Sequence, residues 1–485
     1  METLFATKVD DVYMSIDCDG GSCWELQDYF TFSVPGMQFM PQVRNKMWDG
    51  KIRLFNPVTK RLYAGLLPHV EKFCKDRGYN FVASADFDQD EFSVAEATKF
   101  SQSINLPFEA RDYQLQAFAH AIRNKRSLLL SPTASGKSLI IYLISRYLNK
   151  RTLIIVPTVS LVNQMSGDFK SYGYQDEIHG ITAGVDKETQ CLYTVSTWQS
   201  IYKMPKKWFS QFDCVIGDEA HNFKAKSLTA ILTKMDVCKY RFGFTGTLDG
   251  TQTHKLVLEG LFGSVEKVTT TAELIDSGML ADFKIKCIVL QYPPEIKKLH
   301  AKDKYQDEVD YLVRNEARNR FLRNLVMSLE GNTLLLYQFV DKHGKILHAD
   351  IKNQCDKSHI DRPVYFVSGS VSGNDREDIR HIVEEQNNAI IVASFGTFST
   401  GVNIKRLHNI IFASPSKSRV RVLQSIGRGL RKGNEKTAAT LFDIADNLTH
   451  KDKPNFTLDH FAERLKMYND EKFDYKMYKV TLKEY

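Results

Sequence analysis

The apolar residues of this chain fall into short runs separated by longer, amphipathic connections. In the middle of the chain such runs lie at 127–130, 152–156, 192–195, 214–216 and 242–244. Parallel strands are buried on both faces and need long crossover connections, so this spacing predicts a parallel sheet with crossover helices. The pattern restarts after Ala281, with runs at 333–339, 364–367, 390–393, 410–413 and 440–444. The sequence therefore predicts an α/β protein with two doubly wound parallel-sheet domains in tandem.

A smaller unit precedes the first sheet. Alternation of Val12, Met14 and Ile16 predicts a strand, and helices are predicted over 24–32 and 66–77, which indicates a small α+β domain. The predicted domain boundaries are 1–82 for this unit, 83–99 for a linker, 100–278 and 279–450 for the two sheet domains, and 451–485 for a C-terminal appendage with a helix and an aromatic, basic tail. A long polar helix over 305–329 is expected to lead into the second sheet.

Residues 131–138, Ser-Pro-Thr-Ala-Ser-Gly-Lys-Ser, lie between a predicted strand and an apolar helix, where a phosphate-binding loop belongs. Backbone N–H groups of such a loop cradle phosphate oxygens while Lys137 neutralises them and Ser138 offers its hydroxyl to Mg²⁺. The predicted ligands are therefore ATP and Mg²⁺. Ser131 stands where the motif has Gly, and Ala134 stands where a related pattern often has another Gly. Taken alone, the segment is equally compatible with an ordinary helix start.

Polar residues follow the later strands of the first sheet, at the edge where ligands of parallel sheets gather. Asp218 is expected to hold Mg²⁺ through water, and Glu219 is expected to orient and deprotonate an attacking water. His221, Thr245 and Thr247 are expected to link the nucleotide state to the other domain by hydrogen bonds. For the carboxylates the alternative is a helix N-terminus that favours negative charge, and for His221 it is a cap or a packing role.

The second sheet domain supplies positive charge in Gln424-Ser-Ile-Gly-Arg428-Gly-Leu-Arg431. The two arginines are three residues apart and lie on one face if the segment is helical, so both are predicted to reach the phosphate that leaves. For either arginine alone, a solvated or nucleic-acid-binding helix face would be the simpler interpretation.

A basic stretch in the N-terminal unit is a candidate nucleic-acid surface. Its predicted contacts are Arg44, Lys46, Trp48, Lys51, Arg53, Lys60 and Arg61, with Phe55 and Tyr63 as further aromatic neighbours. Cations interleaved with aromatic rings suit phosphate contacts and base stacking. A solvated hairpin whose aromatic residues belong to the core is the alternative.

Composition adds bounds to this picture. The 485 residues suggest three or four domains, and 65 Lys plus Arg against 58 Asp plus Glu give a mild net charge of +7. The eight cysteines are scattered, which favours reduced thiols over a disulfide scaffold or zinc knuckle. No apolar run has the length of a membrane span, and the first residues lack the form of a secretory signal, so a cytoplasmic protein without membrane contact is expected.

The order of these blocks over about 100–450 resembles that of DEAH-box-type superfamily 2 helicases, which implies two RecA-like domains. By that resemblance the adenine-reading residues are Phe108, Arg111 and Gln114; the phosphate loop comprises Pro132, Thr133, Ala134, Ser135, Gly136, Lys137 and Ser138; the strand-contacting residues are Pro157, Thr158, Thr197, Ser368 and Thr397; and the motif 395–403 adds Gly401 as a coupling residue. Asn403 occupies a place where Asp is frequent.

The basic N-terminal unit fused to this engine is similar to that of the recombination helicases of T-even bacteriophages. The resemblance implies a DNA translocase with 3′-to-5′ polarity that acts on forks, Holliday junctions and R-loops in recombination, repair and replication, in a phage-infected host cytoplasm. The resemblance also implies recombination or single-strand-binding proteins as partners, and a monomer is expected. The alternatives are an RNA helicase and an ATP-switched nucleic-acid-binding protein without directional motion, with a restriction-enzyme helicase subunit as a weaker one.

Overall fold

The computed structural model describes residues 2–34, 36–248, 252–369, 385–397, 406–414 and 438–482, and the positions 379, 382, 383, 418, 422 and 425–427. The chain forms two compact units, Met1–Ser131 with Gly136–Thr269, and Pro132–Ser135 with Thr270–Tyr485. None of the described helices combines the length and apolarity needed to cross a bilayer.

The first unit begins with the predicted α+β domain. Its strands are β1 (Thr3–Lys8), β2 (Tyr13–Asp17), β3 (Thr31–Ser33), β4 (Lys51–Arg53), β5 (Arg61–Tyr63) and β6 (Asn80–Ala83), and its helices are α1 (Gly20–Tyr29), α2 (Pro41–Arg44) and α3 (Leu67–Arg77). Four strands form one sheet in the order β5-β2-β1-β6, and β3 pairs antiparallel with β4 in a separate two-stranded sheet. The helix predicted over 24–32 lies earlier, because Asp19 caps α1 by accepting from the Ser22 N–H, and the chain after Tyr29 turns into β3.

The rest of the first unit is built on a parallel sheet in the order β13-β7-β12-β11-β8-β10-β9. Its strands are β7 (Arg126–Leu130), β8 (Thr152–Val156), β9 (Ile178–Ile181), β10 (Tyr193–Thr197), β11 (Cys214–Asp218), β12 (Tyr240–Thr245) and β13 (Val265–Lys267). The helices are α4 (Val94–Ser103), α5 (Asp112–Asn124), α6 (Lys137–Leu148), α7 (Val159–Ser171), α8 (Trp198–Ile201), α9 (Lys206–Phe209), α10 (Lys226–Lys234) and α11 (Gln252–Phe262). The predicted parallel sheet is confirmed.

Helix α11 packs closely against the middle of this sheet. Gly217 of β11 and Gly243 of β12 are paired across the sheet, and a Cβ atom added to either would lie 2.9 Å from the Phe262 ring. Because real Cβ contacts are longer, both positions require glycine. Because Gly217 and Gly243 have no side chains, α11 can pack closely on the strands that end in Asp218 and Thr245.

The N-terminal domain packs on the same helix. A Cβ added to Gly65 would lie 2.1 Å from the Glu259 carbonyl oxygen, and His69 Nε2 is 3.0 Å from the Glu259 carboxylate. Leu256 of α11 belongs to the apolar core of the N-terminal domain. The stretch expected to be a linker, 83–99, includes the last residue of β6 and the first six residues of α4. Helix α4 begins with a capping box between Ser93 and Glu96.

The second unit holds the second parallel sheet, in the order β16-β17-β15-β18-β19-β14-β20. Its strands are β14 (Asp282–Gln291), β15 (Thr333–Tyr337), β16 (Val364–Val367), β17 (Ile390–Ser394), β18 (Asn409–Phe412), β19 (Ala438–Asn447) and β20 (Tyr475–Thr481). Its described helices include α12 (Thr271–Asp276), α13 (Pro294–Leu299), α14 (Tyr305–Arg314), α15 (Glu316–Ser328), α16 (Lys345–Lys357) and α17 (Phe456–Asp470). The single helix predicted over 305–329 is wrong, since Asn315 ends α14 and caps α15 by accepting from the Arg318 N–H.

The residues expected to form a separate appendage at 451–485 belong to this sheet. Strand β20 pairs in parallel with β14 from Ile285↔Tyr475 to Gln291↔Thr481. Helix α17 is fixed to the sheet by a buried ion pair between Arg464 and Asp443 at 2.8 Å. The expectation of an appendage is corrected because β20 pairs with β14 and forms an edge strand of this sheet.

Candidate active site

The loop from Ser131 to Ser138 follows β7 and enters α6. The Ser131 N–H donates to the Thr245 carbonyl at 2.8 Å, which ties the loop to the end of β12. Ala134 and Gly136 both have left-handed backbone angles, with φ of 67° and 79°. For Ala134 this conformation costs on the order of 1–2 kcal/mol. At Gly136 an added Cβ would lie 2.4 Å from Nε2 of Gln114. Glycine is therefore needed here both for the left-handed backbone angle and for the close approach of the Gln114 side chain.

The residues predicted to read adenine surround the start of α5. Gln114 is buried, and its Oε1 accepts from the Arg111 N–H at 2.9 Å. The Arg111 guanidinium donates to the Tyr113 hydroxyl at 2.7 Å. Phe108 leaves 47% of its surface exposed. The structure thus places the buried amide of Gln114 against the loop glycine and leaves about half of the Phe108 side chain exposed.

The two carboxylates predicted to act in hydrolysis follow β11. Lys137 Nζ lies 3.6 Å from Glu219 Oε1. Glu219 has a left-handed backbone with φ of 51°, and its N–H donates to Asp218 Oδ1 at 3.0 Å. Backbone strain of this kind concentrates at functional sites. The predicted lysine and the predicted base are therefore brought together at the carboxyl edge of the sheet.

Asp218 is a buried carboxylate with an altered acidity. Only 8% of its surface is exposed, and burial raises the pKa of its carboxyl group to about 6, while nearby Lys137 lowers the pKa and Glu219 raises it. A buried carboxylate disfavours its own charge unless a cation compensates it. Oxygen donors such as the Asp218 carboxylate and the Ser138 hydroxyl are the ligands that Mg²⁺ prefers, so these residues fit a Mg²⁺ site.

This pKa predicts how stability responds to Asp218→Asn in metal-free solution. The folded-state pKa lies above the ordinary value of 3.8, so folding favours the protonated acid, and this group lowers stability as pH rises from about 4 through about 6. We expect the asparagine variant to be more stable at pH 7.5 by about 2–3 kcal/mol, with a smaller gain at pH 5. Chemical denaturation at both pH values with a chelator present measures it. Asp176→Asn, at an exposed carboxylate of the same unit, should show no such gain; an equal gain at both pH values would contradict the interpretation.

The expected coupling residues form one hydrogen-bonded group. His221 Nδ1 lies 3.0 Å from Thr245 Oγ1 and 3.4 Å from Glu219 Oε2. The Thr245 hydroxyl donates to the Thr247 carbonyl at 2.8 Å, so it accepts from His221, which places the imidazole proton on Nδ1. A chain of contacts, Glu219–His221–Thr245–Thr247, thus runs from the predicted base to the segment after β12; its first step is the 3.4 Å approach of Glu219 to His221, and the other two are hydrogen bonds.

The residues that the resemblance assigns to strand contact have local roles as well. Thr158 caps α7 by accepting from the Leu161 N–H, and the Thr197 hydroxyl lies 2.9 Å from that of Ser200. Pro157 is half-buried. In the second unit Ser368 and Thr397 are buried, and the Thr397 hydroxyl accepts from Ser394 at 2.7 Å. The predicted residues Gly401, Gln424, Arg428 and Arg431, like Asn403, lie outside the described residues.

Tyr172 is a residue of this site that the sequence analysis missed. Its hydroxyl lies 2.8 Å from the Ser138 hydroxyl, and its ring packs edge-on against Phe108 with centroids 5.7 Å apart. Burial raises the pKa of Tyr172, so the phenol stays protonated. It follows α7 outside any motif, between Phe169 and Tyr174, and no spacing in the sequence distinguishes it from these neighbours.

Some cations of the basic stretch in the N-terminal domain have side-chain partners, and others are exposed. Arg53 pairs with Asp49, Lys60 pairs with Asp17, and the Arg61 guanidinium lies 5.8 Å from the Tyr13 ring centroid. Arg44, Lys46 and Lys51 are exposed and form no ion pair with the described residues. We call these three side chains the open cations.

The predicted aromatic partners are only partly available. The expectation for Phe55 is wrong because this ring is 1% exposed in the domain core, and Tyr63 stacks on Tyr13 at 5.2 Å. Trp48 is half-buried and donates from Nε1 to the Lys51 carbonyl at 3.1 Å. Near the open cations, Phe39 and Met47 are 77% and 79% exposed.

Three family profiles match successive parts of the chain. They are described as "DNA helicase UvsW, N-terminal" over residues 6–84, "Type III restriction enzyme, res subunit" over 107–250, and "Helicase conserved C-terminal domain" over 317–433. The breaks between these matches follow the order of the small domain and the two sheets.

Two relatives and a solved structure agree with these profiles. The ATP-dependent DNA helicase uvsW of Enterobacteria phage T4 is 35% identical over 503 aligned positions, which cover 98% of this chain and 98% of the relative. The crystal structure of T4 UvsW matches with a TM-score of 0.52 and 32% identity, covering 99% of this chain and 100% of that one. The DNA 3′-5′ translocase XPB2 of Sulfurisphaera tokodaii is 24% identical, covering 70% of this chain and 84% of the relative.

Proposed function

The chain belongs to the UvsW family of ATP-dependent DNA helicases, and from that premise we propose that it is a 3′-to-5′ translocase that remodels branched DNA. Its proposed reactions are fork regression, Holliday junction branch migration and R-loop unwinding in recombination, repair and replication. Polarity is supported by the relative named a DNA 3′-5′ translocase. Branched substrates are supported by the UvsW-type N-terminal domain with its open cations.

The observation that carries the proposal is the group formed by Lys137, Asp218 and Glu219 at the edge of the first sheet. Lys137 would neutralise phosphate oxygens held by the loop, and Glu219 would orient the attacking water and take its proton. Asp218 and Ser138 would hold Mg²⁺, which when bound neutralises charge on the phosphates. For Gln424, Arg428 and Arg431 we retain the role that the resemblance implies, stabilisation of charge on the transferred phosphoryl group.

We propose that the chain Glu219–His221–Thr245–Thr247 couples hydrolysis to DNA movement. Replacing His221 by alanine removes the imidazole that lies between Glu219 and Thr245. We expect strand displacement to fall about tenfold more than ATP turnover, a loss of about 1.4 kcal/mol in coupling. Both rates are measured on the same forked DNA. Thr245→Val should separate the two rates in the same way; a parallel fall of both rates would assign His221 to chemistry alone.

Substrate class is tested by one panel. ATP turnover and unwinding are measured together on single-stranded DNA, duplex, fork, four-way junction and RNA–DNA hybrid, each with a 3′ or a 5′ tail where a tail applies. The proposal expects faster turnover and unwinding on fork and junction, with dependence on the 3′ strand. Equal stimulation by matched RNA would favour an RNA helicase. Nucleotide-dependent binding without strand displacement would favour an ATP-switched binding protein.

A further inference from the structure

Tyr172 connects the two ends of the candidate nucleotide site. On one side its hydroxyl lies 2.8 Å from the hydroxyl of Ser138, the second residue of α6. On the other side its ring meets the half-exposed Phe108 edge-on. Phe108 is the residue assigned to the base, and Ser138 is the residue assigned to the metal. One side chain therefore touches both.

The position of Tyr172 is fixed by its surroundings. Its N–H donates to the Asp168 carbonyl at 2.9 Å at the end of α7. Its ring also packs on Tyr142 of α6, with centroids 5.4 Å apart, and Tyr142 is 1% exposed. Edge-on and tilted contacts of this kind are favourable arrangements for aromatic rings. The phenol is therefore held between the end of α7 and Tyr142 of α6, and its fixed position can orient the Ser138 hydroxyl.

The bond to Tyr172 leaves Ser138 able to bind a cation. A hydroxyl has one proton and two lone pairs, so Ser138 Oγ keeps at least one lone pair whichever of the two oxygens donates. Groups that hydrogen-bond a metal ligand orient it, and their loss typically lowers metal affinity 10–100-fold. A serine without such a partner would sample other rotamers of its side chain.

We infer that Tyr172 is a positioning residue that orients the Ser138 hydroxyl for Mg²⁺ and links it to the base-side ring of Phe108. This inference rests on the proposed ATP and Mg²⁺ site. Through this link, Mg²⁺ binding becomes sensitive to whether a nucleotide base stacks on the ring of Phe108. Substitution of Tyr172 should therefore change the Mg²⁺ requirement of nucleotide binding without removing any group that contacts the phosphates.

The test is a Mg²⁺ titration of fluorescent ADP binding, with no turnover involved. Tyr172→Phe keeps the ring and removes only the hydroxyl. We expect its ADP affinity in chelator to stay within about twofold of wild type, and its Mg²⁺ midpoint to rise about tenfold. Tyr142→Phe removes a hydroxyl from the neighbouring ring and should leave the midpoint unchanged. In the background of Ser138→Ala, Tyr172→Phe should add no further shift.

Each outcome has one meaning. An unchanged or lowered Mg²⁺ midpoint in Tyr172→Phe, or an equal rise added to that of Ser138→Ala, overturns the inference while wild-type Mg²⁺·ADP binding still supports the proposed site. Wild-type protein that binds ADP without any effect of Mg²⁺ overturns the proposed site itself. Circular dichroism melting curves establish that each variant is folded before its midpoint is compared.

Discussion

Lys137→Ala is expected to abolish DNA-stimulated ATP hydrolysis, with kcat lowered at least about 10²–10³-fold, the loss seen when one preorganised charge-stabilising donor is removed. Lys137 Nζ lies 3.6 Å from Oε1 of Glu219, the predicted base, and Lys137 also lowers the pKa of the buried Asp218. Without it the phosphates lose their fixed positive charge and Asp218 is further protonated. Steady-state ATP turnover on forked DNA measures the effect.

DNA binding of this variant should stay within about threefold of wild type, because the open cations lie in the N-terminal domain and are unchanged. Lys170→Ala removes an exposed lysine at the end of α7 and serves as the matched control, with turnover expected near the wild-type rate. Undiminished turnover in Lys137→Ala would remove the loop from the catalytic site. Equal loss of turnover and DNA binding would indicate a folding defect instead.

The parallel sheets could be predicted from sequence because their signal is local and repeated. In β8 and β11 every residue is buried, and the apolar runs predicted at 152–156 and 214–216 lie within these two strands. The position of Asp218 at the end of such a run also predicted its place at the sheet edge. Because the motifs occur in the order typical of helicases over about 100–450, both the fold class and the family could be identified from sequence.

The features that sequence did not predict depend on contacts distant along the chain. Strand β20 is recognisable only from its partner β14, some 190 residues earlier, because its own side chains are mostly exposed. Phe55 was expected to stack on bases and is instead covered by the N-terminal core, since composition cannot say which face of a short hairpin is buried. Tyr172 acquires its partner from α6, which no local pattern reveals.

Replacing all three open cations, Arg44, Lys46 and Lys51, by glutamine is expected to weaken binding to fork and junction DNA and to flatten its salt dependence. Each cation that neutralises one phosphate contributes about 0.9 to the slope of log affinity against log salt, so the slope should fall by about 2–3. Arg53 and Lys60 are left in place because their charges are engaged by Asp49 and Asp17. Fluorescence anisotropy of labelled junctions from 50 to 300 mM salt, roughly the range where such slopes are linear, measures the change.

The matched control carries the same charge change on other elements of the first unit. Lys72, Lys75 and Lys99 are exposed lysines on α3 and α4, and their replacement by glutamine lowers the net charge by the same three units. If the open cations contact phosphates directly, only the first triple variant loses slope. Equal loss in both triple variants would mean that net charge alone attracts DNA, and the N-terminal surface would then have no special part in holding the branch.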